Sequence, residues 1–286
     1  MDTLRLGISP CPNDTFMFEA LVHHRIGSSM DMAVDMLDVE ALNNNALSGI
    51  PDVTKVSFAV FPMISGAYQL LSAGAALGRG CGPLLVSRYP LAAAELKEDM
   101  RVAIPGRNTT AHLLLRTFFP GLKNTTELLF SEIEAAVSSG EVDLGLLIHE
   151  TRFTYRESGL HEVEDLGRCW EQRFGLPLPL GGIAVRRSLD HTLKLEIEDA
   201  VRKSVRYAFE HPADGAEYVR KHAAAMDEDV QRKHIALYVN EYSADLGVEG
   251  RQAILRFFSE GFNSGLLPQV SEPVFVNEKV QETCLS

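Results

Sequence analysis

Through the first two thirds of the chain, short apolar runs alternate with stretches in which apolar residues recur every three or four positions. The first pattern marks a buried strand and the second a helix packed along one side. Strands are predicted over Leu4–Ser9, Met30–Leu37, Val56–Pro62, Pro83–Arg88, Arg101–Pro105, Glu127–Phe130, Leu144–His149 and Gly182–Val185. Helices are predicted over Thr15–His24, Val39–Leu47, Ala111–Phe119 and Ser131–Ser139. Beyond Val185 the pattern is helical, over His191–Glu210, Ala213–His222, Asp229–Tyr238 and Glu249–Ser264, and Gly265 and Pro268 stop the last helix.

Continuous apolar strands between helices predict an α/β protein with mostly parallel sheets covered on both faces. The order of elements fits two α/β lobes. Residues 1–87 and 184–286 would form the larger lobe and 88–183 the smaller, with two crossings between them and a cleft where they meet. Ligands of open α/β sheets sit outside the carboxyl ends of strands, so the loops that follow strands are the places to search.

Composition narrows the function classes. The chain has 286 residues, of which 23% are charged, and a net charge of −12, with no run of Lys and Arg. That balance argues against nucleic-acid binding and leaves room for a local cationic pocket. No apolar stretch approaches the roughly 20 residues that span a bilayer, and no export signal is visible. The four cysteines, Cys11, Cys81, Cys169 and Cys284, are scattered with no metal-type spacing. A reduced, cytoplasmic setting is expected.

Four segments carry candidate chemistry. In "SPCPNDTF", two prolines stiffen the turn after the first strand, Asp14 or Asn13 can cap the next helix, and Asn13 is the expected polar contact. In "AIPGRNTTAHLLL", a helix starting near Thr110 presents free N–H groups and a positive dipole end. Thr109 and Thr110 add hydroxyls, so the segment is either an anion site or a plain Thr cap. In "GLLIHETRFTY", an apolar strand delivers His149 to its carboxyl end, where it is either a structural histidine or a proton-transfer group. In "VTKVSFAVFP", alternation puts Lys55 and Ser57 on one side, able to grip a polar ligand unless Lys55 simply faces solvent. The glycines of "GAALGRGCGPLLVSR" precede a strand rather than a helix, which excludes a dinucleotide fingerprint and suggests a tight turn with close backbone contact. Asn43 reads as a surface residue able to reach a cleft. Trp170 and Phe174, four apart on a helix, read as core. The remaining histidines, His234 among them, share no face. No H-E-x-x-H, G-x-S-x-G or Cys/His cluster occurs.

These segments, together with "DVEALNNNAL" and "PLPLGGIAVRR", run in one order from Ser9 to Arg187. In that combination the chain resembles the 1,4-dihydroxy-6-naphthoate synthase family, menaquinone-biosynthesis lyases of the futalosine route. The resemblance implies a two-lobed periplasmic-binding-protein-like fold of the type with two crossings. It also implies conversion of cyclic dehypoxanthine futalosine to 1,4-dihydroxy-6-naphthoate with release of the ribose-derived fragment, and no metal or organic cofactor. It makes His149 the proton acceptor and has Lys55, Val56, Ser57, Thr109, Thr110 and Ala111 line the substrate site. The expected partner is therefore a small molecule, with no nucleic acid and no membrane; the oligomeric state stays open. A cleft-type solute-binding protein and a chorismate dehydratase on the same fold are the alternatives.

Overall fold

A computed structural model describes residues 3–27, 30–223 and 227–278; Cys284 lies outside them. The chain opens with β1 (Leu4–Ile8), α1 (Pro12–Val22), β2 (Met32–Met36), α2 (Val39–Leu47), β3 (Val53–Ser57), α3 (Phe61–Ile64), β4 (Tyr68–Leu70) and β5 (Ala76–Gly78). It continues with β6 (Leu84–Ser87), β7 (Val102–Ile104), α4 (Thr110–Phe118), β8 (Thr125–Glu127), α5 (Phe130–Ser139), β9 (Leu144–Leu147), α6 (Thr151–Thr154), β10 (His161–Asp165) and α7 (Leu166–Phe174). Then come β11 (Leu178–Arg186), α8 (His191–Glu210), α9 (Ala216–His222), α10 (Glu228–Tyr238), α11 (Glu241–Ala244) and α12 (Gly247–Asn263).

The strands form two sheets. One has the order β2-β1-β3-β11-β4, with β5 also paired to β11; the other has the order β10-β6-β9-β7-β8. Both are mixed rather than mostly parallel. The βα units pair in parallel, as β1 does with β2 and β3, and β7 with β8 and β9. The strands that carry the chain between sheets run the other way. β6 is antiparallel to β9 and β10, and β11 is antiparallel to β3, β4 and β5. A parallel pair needs a long crossover, usually a helix, and only five residues separate β5 from β6.

Three predicted elements shift. The strand expected over Glu127–Phe130 is β8 at Thr125–Glu127, and Phe130 already opens α5. The apolar run after Val56 is not strand throughout: β3 ends at Ser57 and Phe61–Ile64 is helical, with Pro62 in the first turn, where proline fits a helix. The first helix begins at Pro12, with Cys11 at its N-cap and no capping side chain. Asp14 therefore sits inside the helix rather than capping it. α1 is buried on all sides from Pro12 to Leu21 because it lies among α8, α9 and α10. A continuous apolar core joins the sheets, running from Phe58, Phe61 and Leu70 to Leu85, Ile104 and Trp170. Each large side chain buried there contributes about 1.5–3 kcal/mol.

Candidate active site

The loops at the carboxyl ends of β1, β3, β7 and β9 converge on one cleft. Its lining includes Asn13, Lys55, Val56, Ser57, Thr109, Thr110, Ala111 and His149, the residues singled out from the sequence. It also includes Asp14, Cys81, Leu180, His234 and Tyr238.

At the floor is a buried charge pair. Asp14 accepts hydrogen bonds from Ser9 N (3.1 Å), Ser9 Oγ (2.9 Å), Asn13 Nδ2 (2.9 Å) and Lys55 Nζ (2.8 Å). Lys55 is thus held inside the protein and does not face solvent as strand-start lysines usually do. Burying a carboxylate is tolerable only when its oxygens are paired in this way. Ser57 is fixed by Asn43, whose Oδ1 accepts from Ser57 N (2.9 Å) and whose Nδ2 lies 3.1 Å from Ser57 Oγ. Asn43 is fully buried, so it serves the site from behind.

The start of α4 forms a second wall. Thr109 is its N-cap: its hydroxyl accepts from His112 N and donates to Gly106 O. The Thr110 hydroxyl donates to Leu180 O at 2.7 Å. Both hydroxyls are therefore committed to the fold. Among the described residues the backbone N–H groups of Thr110 and Ala111 take no backbone acceptor, as first-turn positions leave them. Those amides and the helix dipole favour a negative group. A clasp lies beside this wall: Glu40 on α2 accepts from both the backbone N (3.2 Å) and the Nδ2 (2.7 Å) of Asn108, tying the two sheets' loops together. Gly106 permits the contact, since a side chain there would strike Glu40 and its φ is +148°.

The third wall is His149, two residues beyond β9. Its φ is +57°, in the left-handed region that a histidine seldom enters. Nδ1 lies 3.6 Å from Cys11 Sγ, and the ring meets Phe130 edge-on at 4.9 Å. Nε2 is buried without a hydrogen-bond partner among the described residues. Burial lowers the His149 pKa to about 4, with Asp14 opposing the shift and Lys55 adding to it, so the ring is neutral at pH 7. Burial likewise pushes the Cys11 thiol up to about 12, which keeps it protonated and unreactive. Glu150 lines a neighbouring cavity instead of pairing with His149.

The histidine that the sequence left unassigned belongs here too. His234, from α10, lies parallel to His149, with ring centroids 6.0 Å apart and planes 7° apart, and its Nε2 is 3.1 Å from Asn13 Oδ1. The local signal that could have found it is its spacing from Tyr238, one helical turn on, which the ring contact at 4.6 Å reflects. Among the described residues no group of three or more His, Cys, Asp or Glu is arranged to hold a metal. Gly78–Gly82 form the tight junction expected: Gly82 packs directly on the backbone of Gly167.

Two mixed sheets sharing a cleft define the class of periplasmic-binding-protein-like folds. The aliphatic sulphonate binding protein of Escherichia coli superimposes with a TM-score of 0.64 at 13% identity, covering 100% of this chain and 97% of that one. A crystal structure from Archaeoglobus fulgidus superimposes with a TM-score of 0.87 at 34% identity, over 93% and 98% of the two chains. Within that class the chain belongs to the family described as Menaquinone biosynthesis, whose sequence model matches residues 4–263. A relative from Thermus thermophilus, named 1,4-dihydroxy-6-naphtoate synthase, is 47% identical over 96% of this chain and 100% of its own length. One of the same name from Streptomyces coelicolor is 45% identical over 93% and 95%. The chain is an enzyme of menaquinone biosynthesis. Among the described residues no helix is long and apolar enough to cross a membrane.

Proposed function

We propose that the chain is a carbon–carbon lyase that converts cyclic dehypoxanthine futalosine to 1,4-dihydroxy-6-naphthoate and releases the ribose-derived fragment. The observation that carries this reading is the near-full-length identity to the two synthases. The cleft supports it. The aromatic carboxylate of the substrate would lie against the free amides of Thr110 and Ala111. Lys55, Val56 and Ser57 would line the ring. Neutral, desolvated His149 would take a proton from a hydroxyl or carbon of the sugar-derived part. Cleavage of the carbon–carbon bond and aromatisation of the new ring then drive release, so the protein supplies chiefly a placed base and a dry cleft. For Nε2 to act, Nδ1 must carry the ring's proton, which points it at Cys11 Sγ.

Purified protein incubated with cyclic dehypoxanthine futalosine and, separately, with chorismate tests the reading by chromatography. The naphthoate is expected from the first mixture, and chorismate should stay intact. Absence of the naphthoate would overturn the proposal. His149→Ala should still bind substrate but lose about 10²–10⁴-fold in kcat, the range of general base catalysis. A kcat within about tenfold of wild type would end the assignment of His149 as base.

A further inference from the structure

We propose that His234 is a second ligand-contacting residue: its Nδ1 accepts a hydrogen bond from a ligand hydroxyl, beside the site served by His149. The inference deepens the reading above and rests on it for the identity of the ligand.

The tautomer of His234 follows from its partners. The carboxylate of Asp14 can only accept, so the Asn13 group 2.9 Å from it is the NH₂ end of the amide. The other end, Asn13 Oδ1, is an acceptor, so the His234 Nε2 at 3.1 Å carries the proton. A neutral imidazole with its proton on Nε2 has a bare lone pair on Nδ1. His234 is fully buried, and Nδ1 has no hydrogen-bond partner among the described residues. Buried acceptors in native proteins are nearly always paired; His234 lines the cleft, so its unpaired nitrogen calls for a ligand donor. His149 Nε2, on the ring parallel to it, is the other orphan nitrogen of this cleft.

The cleft therefore offers two kinds of partner. The N–H groups of Thr110 and Ala111 suit a carboxylate. The unpaired nitrogens of His149 and His234 suit hydroxyl donors and repel an anion. A ligand that carries both an acid and hydroxyls is oriented by them.

Calorimetric titration with two probes tests this: 1,4-dihydroxy-6-naphthoate, and 2-naphthoate, which keeps the acid and lacks both hydroxyls. Wild type should favour the dihydroxy compound by about 10- to 100-fold, the range for leaving a buried polar group unpaired. His234→Phe, which keeps a ring of similar size and leaves His149 in place, should lower that preference by at least about fivefold, and His234→Gln, which keeps an acceptor, should restore part of it; cooperative melting of each variant checks folding. A preference unchanged in His234→Phe, or absent from wild type, would overturn the proposal. The outcomes separate from those of the activity assay. Turnover by wild type with an unchanged preference in His234→Phe removes only the role of His234. A His234-dependent preference without turnover removes only the lyase reading.

Discussion

Lys55 and Asp14 meet 2.8 Å apart, with their side chains 8% and 1% exposed. Each ion loses several kcal/mol of hydration there, which their attraction and the bonds from Ser9 and Asn13 offset. Removing one partner leaves the other charged and buried. Lys55→Met should therefore destabilise the protein by about 3–5 kcal/mol in urea denaturation, and Lys55→Met combined with Asp14→Leu by less than the two single changes summed. At His149 the prediction concerns rate. With His149 as the proposed base, only the neutral ring can accept the proton, and burial lowers its pKa to about 4, so kcat/KM should hold level well below the usual histidine value of 6.5. A half-maximal rate at pH 6.5 would contradict this placement. Lys55 and His149 stand out in the sequence because each lies in a short motif on or just beyond a strand; Asp14 reads there as a helix cap, since its pairing with Lys55 spans 41 positions. The partnership of Asn13 with His234 was not legible, since 221 positions separate them and no local pattern marks a contact that only folding creates.

Among the elements, the junction of β6 with α7 carries the sharpest constraint. A Cβ on Gly82 would lie 2.3 Å from the Cα and N of Gly167, and neither backbone can yield. Overpacking usually costs about 1–3 kcal/mol; Gly82→Ala should reach at least the top of that range, read as a lowered thermal midpoint. This junction was foreseen as a tight turn, because glycines that precede a strand serve close approach. β4, β5 and β10 are not marked in the sequence: β4 and β5 have three residues each and no turn signal that sets them apart as strands, and β10, His161–Asp165, carries no apolar run. Helix α1 was recognised by its length and turn, yet its start was misplaced: with α8, α9 and α10 around it, every side chain from Pro12 to Leu21 is covered, and no polar face marks its boundary.

At the scale of the molecule, two neutral histidines, His234 fully buried and His149 partly so, make the fold sensitive to acid. Burial lowers the pKa of His149 and of His234 below the unfolded value of 6.5. As pH falls through 6.5, the unfolded chain takes up protons that the folded one refuses, so the stability these rings contribute is present above 6.5 and is lost toward pH 4. Each protonation difference is worth about 1.4 kcal/mol per pH unit, so the two together give a slope of up to about 2.7 kcal/mol per unit. Denaturation series between pH 7 and pH 4.5 should show that slope roughly halved in His234→Phe; an unchanged slope would contradict it. The two-lobed plan was readable from the order of elements, whereas the direction of β6 and β11 was not, since periodicity reports burial and carries no sign. The left-handed backbone of His149 has a further consequence, for selection. A histidine pays about 1–2 kcal/mol to stand where glycine or asparagine stands freely, and it buries an unpaired nitrogen as well. A library of this gene screened for heat resistance alone should accumulate glycine or asparagine at position 149, and clones that survive the highest temperatures should be those that have stopped making product.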